Sequence, residues 1–271
     1  MALFKGDIYS YSLDKMTPIM VYLPQDDNRR FLVNNSQRTL ILLHGAEGNY
    51  SYWSRYTSIE RYAQKKNLAV IMPDAGLSMY ADMKNGQNYE EYIAIEIKNI
   101  LGSMFRLNLE REHISIAGLS MGGYGALKIA LKYPEQFGRC AAFSGAFILG
   151  ESDYLSRLSQ WEDPGPPEQY DEFYELDKTL YKACRAAYGE DLEYAKKNDV
   201  VYLAEKVVEE NKVVPEILLT CGTEDFLYHN NCMFSRYLHE IGVKHEFHEW
   251  PGVHNWDFWE ECIKKHMSFF V

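Results

Sequence analysis

Ser120 sits in Gly118-Leu119-Ser120-Met121-Gly122, with the β-branched run Ile114-Ser115-Ile116 before it and the small-residue stretch Gly123-Tyr124-Gly125-Ala126-Leu127 after it. The pattern reads as a strand, a sharp turn and a helix, with one serine at the junction. A serine thrust out of such a turn takes a strained backbone, and a side chain two residues either way would collide with the turn; hence the flanking glycines. The helix begins directly behind the serine. Its free backbone N–H groups and positive dipole end then face any oxyanion formed there, the amide of Met121 first among them.

A serine hydroxyl is a poor nucleophile near neutral pH. It needs a base within hydrogen-bond reach and a third group to hold that base. Two downstream loops offer them. Asp225 follows the apolar run Glu216-Ile217-Leu218-Leu219-Thr220-Cys221-Gly222, and His254 follows the run ending at Trp250. Glu224 competes with Asp225, but Asp225 adjoins Phe226-Leu227 and is expected to point inward. His245 and His248 fall within the last strand-like run and read as structural. His44 follows another apolar run and reads as a residue that orients its loop.

These loops require a sheet to carry them. Thr39-Leu40-Ile41-Leu42-Leu43, Leu68-Ala69-Val70-Ile71-Met72, the run before Ser120, Arg139-Cys140-Ala141-Ala142-Phe143 and the run before Asp225 are short and continuously apolar. That is the signature of parallel strands buried on both faces. Helical stretches at about 54–66, 92–101 and 230–241 alternate with them, and residues 7–12 and 17–23 read as an opening strand pair. Asp74 closes the second of these strands and reads as a turn residue.

The chain has 271 residues, 46% hydrophobic, and a formal charge of −11. The charge argues against nucleic acid and anionic membrane surfaces as partners. Five scattered cysteines with no C-x-x-C pair suggest neither a disulfide framework nor a zinc site. No secretory signal is read at the start, so the expectation is a cytoplasmic protein. Residues 150–212 break the strand–helix rhythm; positions 151–200 alone hold thirteen acidic against six basic residues. This segment is expected to be a cap insertion in a single 1–271 domain.

Taken together, Leu42-Leu43-His44-Gly45, the stretch from Gly118 to Ala126, Gly222-Thr223-Glu224-Asp225-Phe226-Leu227 and His254-Asn255-Trp256 resemble the esterase D–like branch of the α/β-hydrolases, closest to bacterial tributyrin esterases. The resemblance implies an α/β-hydrolase fold, a mostly parallel sheet with helices on both faces. It implies hydrolysis of small short-chain acyl esters through an acyl-enzyme, with the chain order serine, acid, histidine. It also implies a second oxyanion donor on the glycine loop after a buried strand, here the amide of Ala46. No metal or organic cofactor is expected. Feruloyl and acetylxylan esterases share the superfamily, and Trp53, Tyr80, Tyr89 and Trp161 would suit such substrates. S-Formylglutathione hydrolases stand further off: they carry a cysteine and a histidine where this chain has Glu47-Gly48-Asn49 and Tyr124. A non-catalytic binding module on the same fold is the alternative from another class, and self-association is left open.

Overall fold

The structure, a computed structural model, describes residues 1–25, 37–147, 179, 182–189 and 191–271. Its described strands form an eight-stranded sheet in the order β1-β2-β4-β3-β5-β6-β7-β8. They are β1 (Ala2–Ser10), β2 (Lys15–Leu23), β3 (Arg38–Leu43), β4 (Leu68–Pro73), β5 (Ile114–Leu119), β6 (Arg139–Phe143), β7 (Glu216–Gly222) and β8 (Glu246–Trp250). β2 runs antiparallel to both β1 and β4, and every pairing from β4 to β8 is parallel. Parallel strands need crossover connections, and these are what put helices on both faces.

The period-two alternation of each strand sorts side chains into two cores. Ile41, Leu43, Ile116, Cys140 and Leu219 face α5 (Met121–Lys132) and the segment 89–105. Leu40, Leu42, Ala117, Ala141 and Leu218 face the other way, toward α1 (Tyr52–Tyr56), α2 (Ile59–Lys65) and the C-terminal α9 (Trp256–His266). β4 and β5 are buried at every position, which explains their uninterrupted apolar sequence. Truncating a core side chain such as Leu127 or Ile263 to alanine would cost about 2–5 kcal/mol.

α5 is buried along eleven of its twelve residues. Its small residues let neighbouring elements approach closely; a Cβ on Gly125 would stand 2.3 Å from the Tyr80 ring. Only a helix this slender fits between the sheet and the layer outside it.

Several boundaries differ from the sequence expectation. The helix expected over 54–66 is two, because Thr57 is extended and its hydroxyl turns back to the Trp53 carbonyl at 2.5 Å. The helix expected over 92–101 starts as α3 (Tyr89–Glu91), passes through a π turn at Tyr92–Glu96 and continues as α4 (Ile97–Phe105). The π turn aims Glu96 at the β1–β2 turn, where its carboxylate accepts from Ser10 Oγ at 2.5 Å and from the amides of Tyr11 and Ser12. Of the acidic segment 150–212, most of the first half lies outside the described residues. The described remainder includes α6 (Leu192–Lys196) and α7 (Val200–Glu209). α7 buries Val200, Leu203, Ala204 and Val207 in the core cluster that includes the apolar residues of α5. No described helix is long and apolar enough to cross a membrane.

Candidate active site

β5 ends at Leu119, and the chain turns into α5 through Ser120, whose φ and ψ are 53° and −120°. Side-chain-bearing residues rarely adopt this conformation, at a cost of about 1–3 kcal/mol. The surroundings enforce it. The Ser120 amide donates to the Phe143 carbonyl at 2.9 Å, and its own carbonyl accepts from the amides of Tyr124 and Ala146, both at 3.0 Å. A Cβ on Gly118 would lie 2.3 Å from the Gly122 carbonyl oxygen, and one on Gly122 would lie 2.5 Å from that of His44. Both glycines of the pattern are therefore steric requirements. Met121 opens α5, so its amide has no carbonyl four residues back within the helix.

Asp225 stands on the loop after β7 with its side chain fully buried. Its Oδ1 accepts from the Leu227 amide at 2.8 Å, and its Oδ2 lies 2.9 Å from His254 Nδ1. With Nδ1–H donating to the carboxylate, the imidazole presents Nε2 as its acceptor. The ring is held between Phe226 and Trp259, whose centroids lie 4.6 and 4.8 Å away. Glu224, the competing acid, is exposed. The loops of Asp225 and His254 are themselves fused backbone to backbone. The Glu224 amide donates to the Gly252 carbonyl at 3.0 Å, and a Cβ on Gly222 would sit 2.2 Å from that same oxygen.

The loop after β3 carries Gly45, Ala46 and Gly48. His44 is buried beneath it; its Nε2 accepts from the Ala75 amide at 3.0 Å, so Nδ1 carries the proton toward the Gly45 carbonyl at 2.7 Å. Burial lowers its pKa from the ordinary histidine value and keeps it neutral. His44 braces the loop, as its position in sequence suggested. Asp74 does similar work, accepting from the Gly76 and Tyr50 amides at 3.3 and 3.4 Å. His245 and His248 lie elsewhere, hydrogen-bonded to Ser235 Oγ and the Glu246 carboxylate.

Ser120, Ala46 and His254 line one cleft of ≈ 280 Å³, together with Gly45, Glu47, Gly48, Tyr52, Leu119, Asn255, Trp256 and Trp259. The aromatic wall differs from the sequence expectation. Trp53 is buried with its indole N–H on the Leu43 carbonyl at 2.8 Å, Tyr80 is buried beneath His44, and Tyr89 lies in the opposite core; none lines the cleft. Trp161 falls outside the described residues. Tyr52, Trp256 and Trp259 take their place. The sequence signal for them is the Asn255 cap, whose side chain accepts from the Phe258 amide at 3.0 Å and starts α9 immediately beside His254. One further group was not foreseen: Lys128, fully buried in α5, meets Glu90 at 3.2 Å and donates to the Tyr80 carbonyl at 2.7 Å.

Residues 10–270 match the family model for a putative esterase. An acetyl esterase of Caldicellulosiruptor saccharolyticus is 33% identical over 97% of this chain and 96% of its own. Two solved structures from Staphylococcus aureus are each 32% identical, covering 99% of this chain and 98% of theirs. One is a fluorophosphonate-binding serine hydrolase with substrate bound, at a TM-score of 0.82. The other is an S-formylglutathione hydrolase without ligand, at 0.79.

Proposed function

The chain belongs to the Esterase family and is an ester hydrolase of the α/β-hydrolase fold, and from that premise we propose that it cleaves short-chain acyl esters, acetyl esters foremost, through Ser120, His254 and Asp225. The observation that carries this reading is the 2.9 Å contact between His254 Nδ1 and Asp225 Oδ2 at a cleft whose floor is the strained Ser120.

In the proposed reaction His254 Nε2 takes the Ser120 proton as Oγ adds to the ester carbonyl. Asp225 holds the imidazole in that tautomer and stabilises the imidazolium. The amides of Ala46 and Met121 receive the oxyanion, each donor lowering the barrier by about 3–4 kcal/mol. His254 then protonates the departing alcohol and afterwards activates the water that releases the acid from Ser120.

A cleft of ≈ 280 Å³ suits a small acyl group, and the acetyl esterase relative supports acetyl as the first choice. Tributyrin is the natural test of the upper size range. A second reading rests on the aromatic residues that line the cleft with the serine: Tyr52, Trp256 and Trp259 would suit the ring of an acetylated saccharide or an aryl alcohol. The five cysteines, none of them in a disulfide, support a reducing compartment, the cytoplasm.

A panel of acetyl, butyryl and feruloyl esters on the purified protein tests the reading, with Ser120→Ala and a fluorophosphonate probe as controls. Acetyl and butyryl esters are expected to turn over faster than feruloyl esters. Ser120→Ala is expected to lose about four to six orders of magnitude in kcat and all labelling. Undiminished hydrolysis by Ser120→Ala would remove Ser120 from the mechanism.

A further inference from the structure

We propose that two copies of this chain join through β1, edge to edge, in a two-fold antiparallel pairing centred on Gly6. Among the described residues β1 is the outermost strand of the sheet and hydrogen-bonds only to β2, so none of them pairs with the backbone donors and acceptors along its other edge. Soluble proteins ordinarily blunt such an edge with prolines, bulges, charges or a short strand. This one is long and continuous, with Leu3 to Asp7 all exposed. The region around it is also apolar. Six of the twelve strongly exposed large hydrophobic side chains among the described residues lie between Met1 and Met16.

The pairing register follows from geometry. In a continuous antiparallel pairing, opposed residues share a face of the sheet, so a two-fold axis between the strands must pass through a residue position. An axis through Lys5 would oppose Lys5 to its own copy, and an axis through Asp7 would oppose two aspartates. An axis through Gly6, the midpoint of the strand, pairs all nine residues, Ala2 against Ser10 onward. It places Lys5 of each copy opposite Asp7 of the other, twice over. On the same face Leu3 meets Tyr9 of the second copy. On the opposite face Phe4 meets Ile8, beside Phe105, whose ring already lies 5.0 Å from that of Phe4. Side chains directly opposed in this way stand about 4.5–5.5 Å apart at Cβ, close enough for an ion pair. Gly6, at the axis, presents no side chain to its own image, and nothing lies within 4 Å of where its Cβ would be. An isologous patch must be self-complementary, and β1 is so in charge, in apolar pairing and in length.

The test is light scattering on size-exclusion fractions of the wild type, Lys5→Asp, Asp7→Lys and an equimolar mixture of the two variants. The wild type is expected to run as a dimer and each variant as a monomer, since each reversal opposes like charges at both ion pairs. The mixture is expected to recover the dimer, because one variant then presents two acids where the other presents two lysines. Circular dichroism, thermal melting and ester hydrolysis of each variant establish that it is folded. A monomeric wild type, a dimer indifferent to both reversals, or variants that stay apart on mixing would overturn the proposal.

Discussion

The Tyr80 hydroxyl donates to the carbonyl oxygen of His44 at 2.8 Å, and the Tyr80 carbonyl in turn accepts from Lys128 at 2.7 Å. A buried lysine of α5 is thus joined, through one tyrosine, to the loop that carries the Ala46 amide. Tyr80 holds a left-handed backbone, φ 51°, to make both contacts.

Tyr80→Phe removes only the first of these hydrogen bonds. It is expected to lower stability by about 1 kcal/mol. If Ala46 is an oxyanion donor, kcat for p-nitrophenyl acetate falls several-fold while KM stays near the wild-type value. A change confined to KM would place the Tyr80 hydroxyl outside transition-state stabilisation.

Asp225→Asn keeps an oxygen for the Leu227 amide and offers an N–H where the carboxylate stood. His254 would then accept at Nδ1 and carry its proton on Nε2, the wrong tautomer for a base. The expected loss in kcat is roughly four orders of magnitude with little change in melting temperature. Steady-state kinetics and a thermal melt check both halves.

Gly122→Ala sets a methyl group 2.5 Å from the His44 carbonyl oxygen and 2.7 Å from that of Leu43. These are backbone atoms at and just after the end of β3, a central strand, and cannot swing aside. The variant is expected to lose at least about 1–3 kcal/mol of stability, read by urea unfolding, and most of its activity with it.

The buried cation of α5 gives a pH signature. Burial pushes Lys128 down to about 8, against the pull of Glu90. Lys132 adds repulsion, while Asp82 raises the value. Glu90 itself accepts Lys132 at 2.7 Å and the Tyr133 hydroxyl at 2.9 Å. Because the folded pKa lies below the unfolded one, the unfolded chain binds more protons between about pH 8 and 10.5. The contribution of Lys128 to stability therefore rises with pH through that window. The difference in melting temperature between the wild type and Lys128→Met should move in favour of the wild type from pH 8 to 10. Glu90→Gln at pH 7 removes the acid that holds Lys128 in its charged form and is expected to cost about 3–5 kcal/mol.

Much of the proposed site was legible because its requirements are local. The glycines at 118 and 122 flank Ser120 at fixed offsets, and Asp225 and His254 each follow a strand within a few residues. The parallel sheet was legible for the same reason: β3, β4 and β5 read as unbroken apolar runs because both their faces are covered. What escaped depends on which face a side chain takes after folding. Trp53 and Trp256 are equally aromatic in sequence, yet one is buried under β3 and the other lines the cleft. The π turn at Tyr92–Glu96 has no periodic signature, since it exists to bring one carboxylate to a distant hairpin. Nothing local in the sequence marks Lys128 as buried, because its partners Glu90, Tyr80 and Asn198 are supplied by remote parts of the chain.

The loops of Asp225 and His254 lean on one another at Gly222 and Gly252, and both lie more than a hundred residues beyond Ser120. During synthesis Ser120 and the amides of Ala46 and Met121 leave the ribosome more than a hundred residues ahead of His254. Under the proposed mechanism a nascent chain therefore holds a mute serine, and hydrolysis begins only when β8 and α9 close the far edge of the sheet.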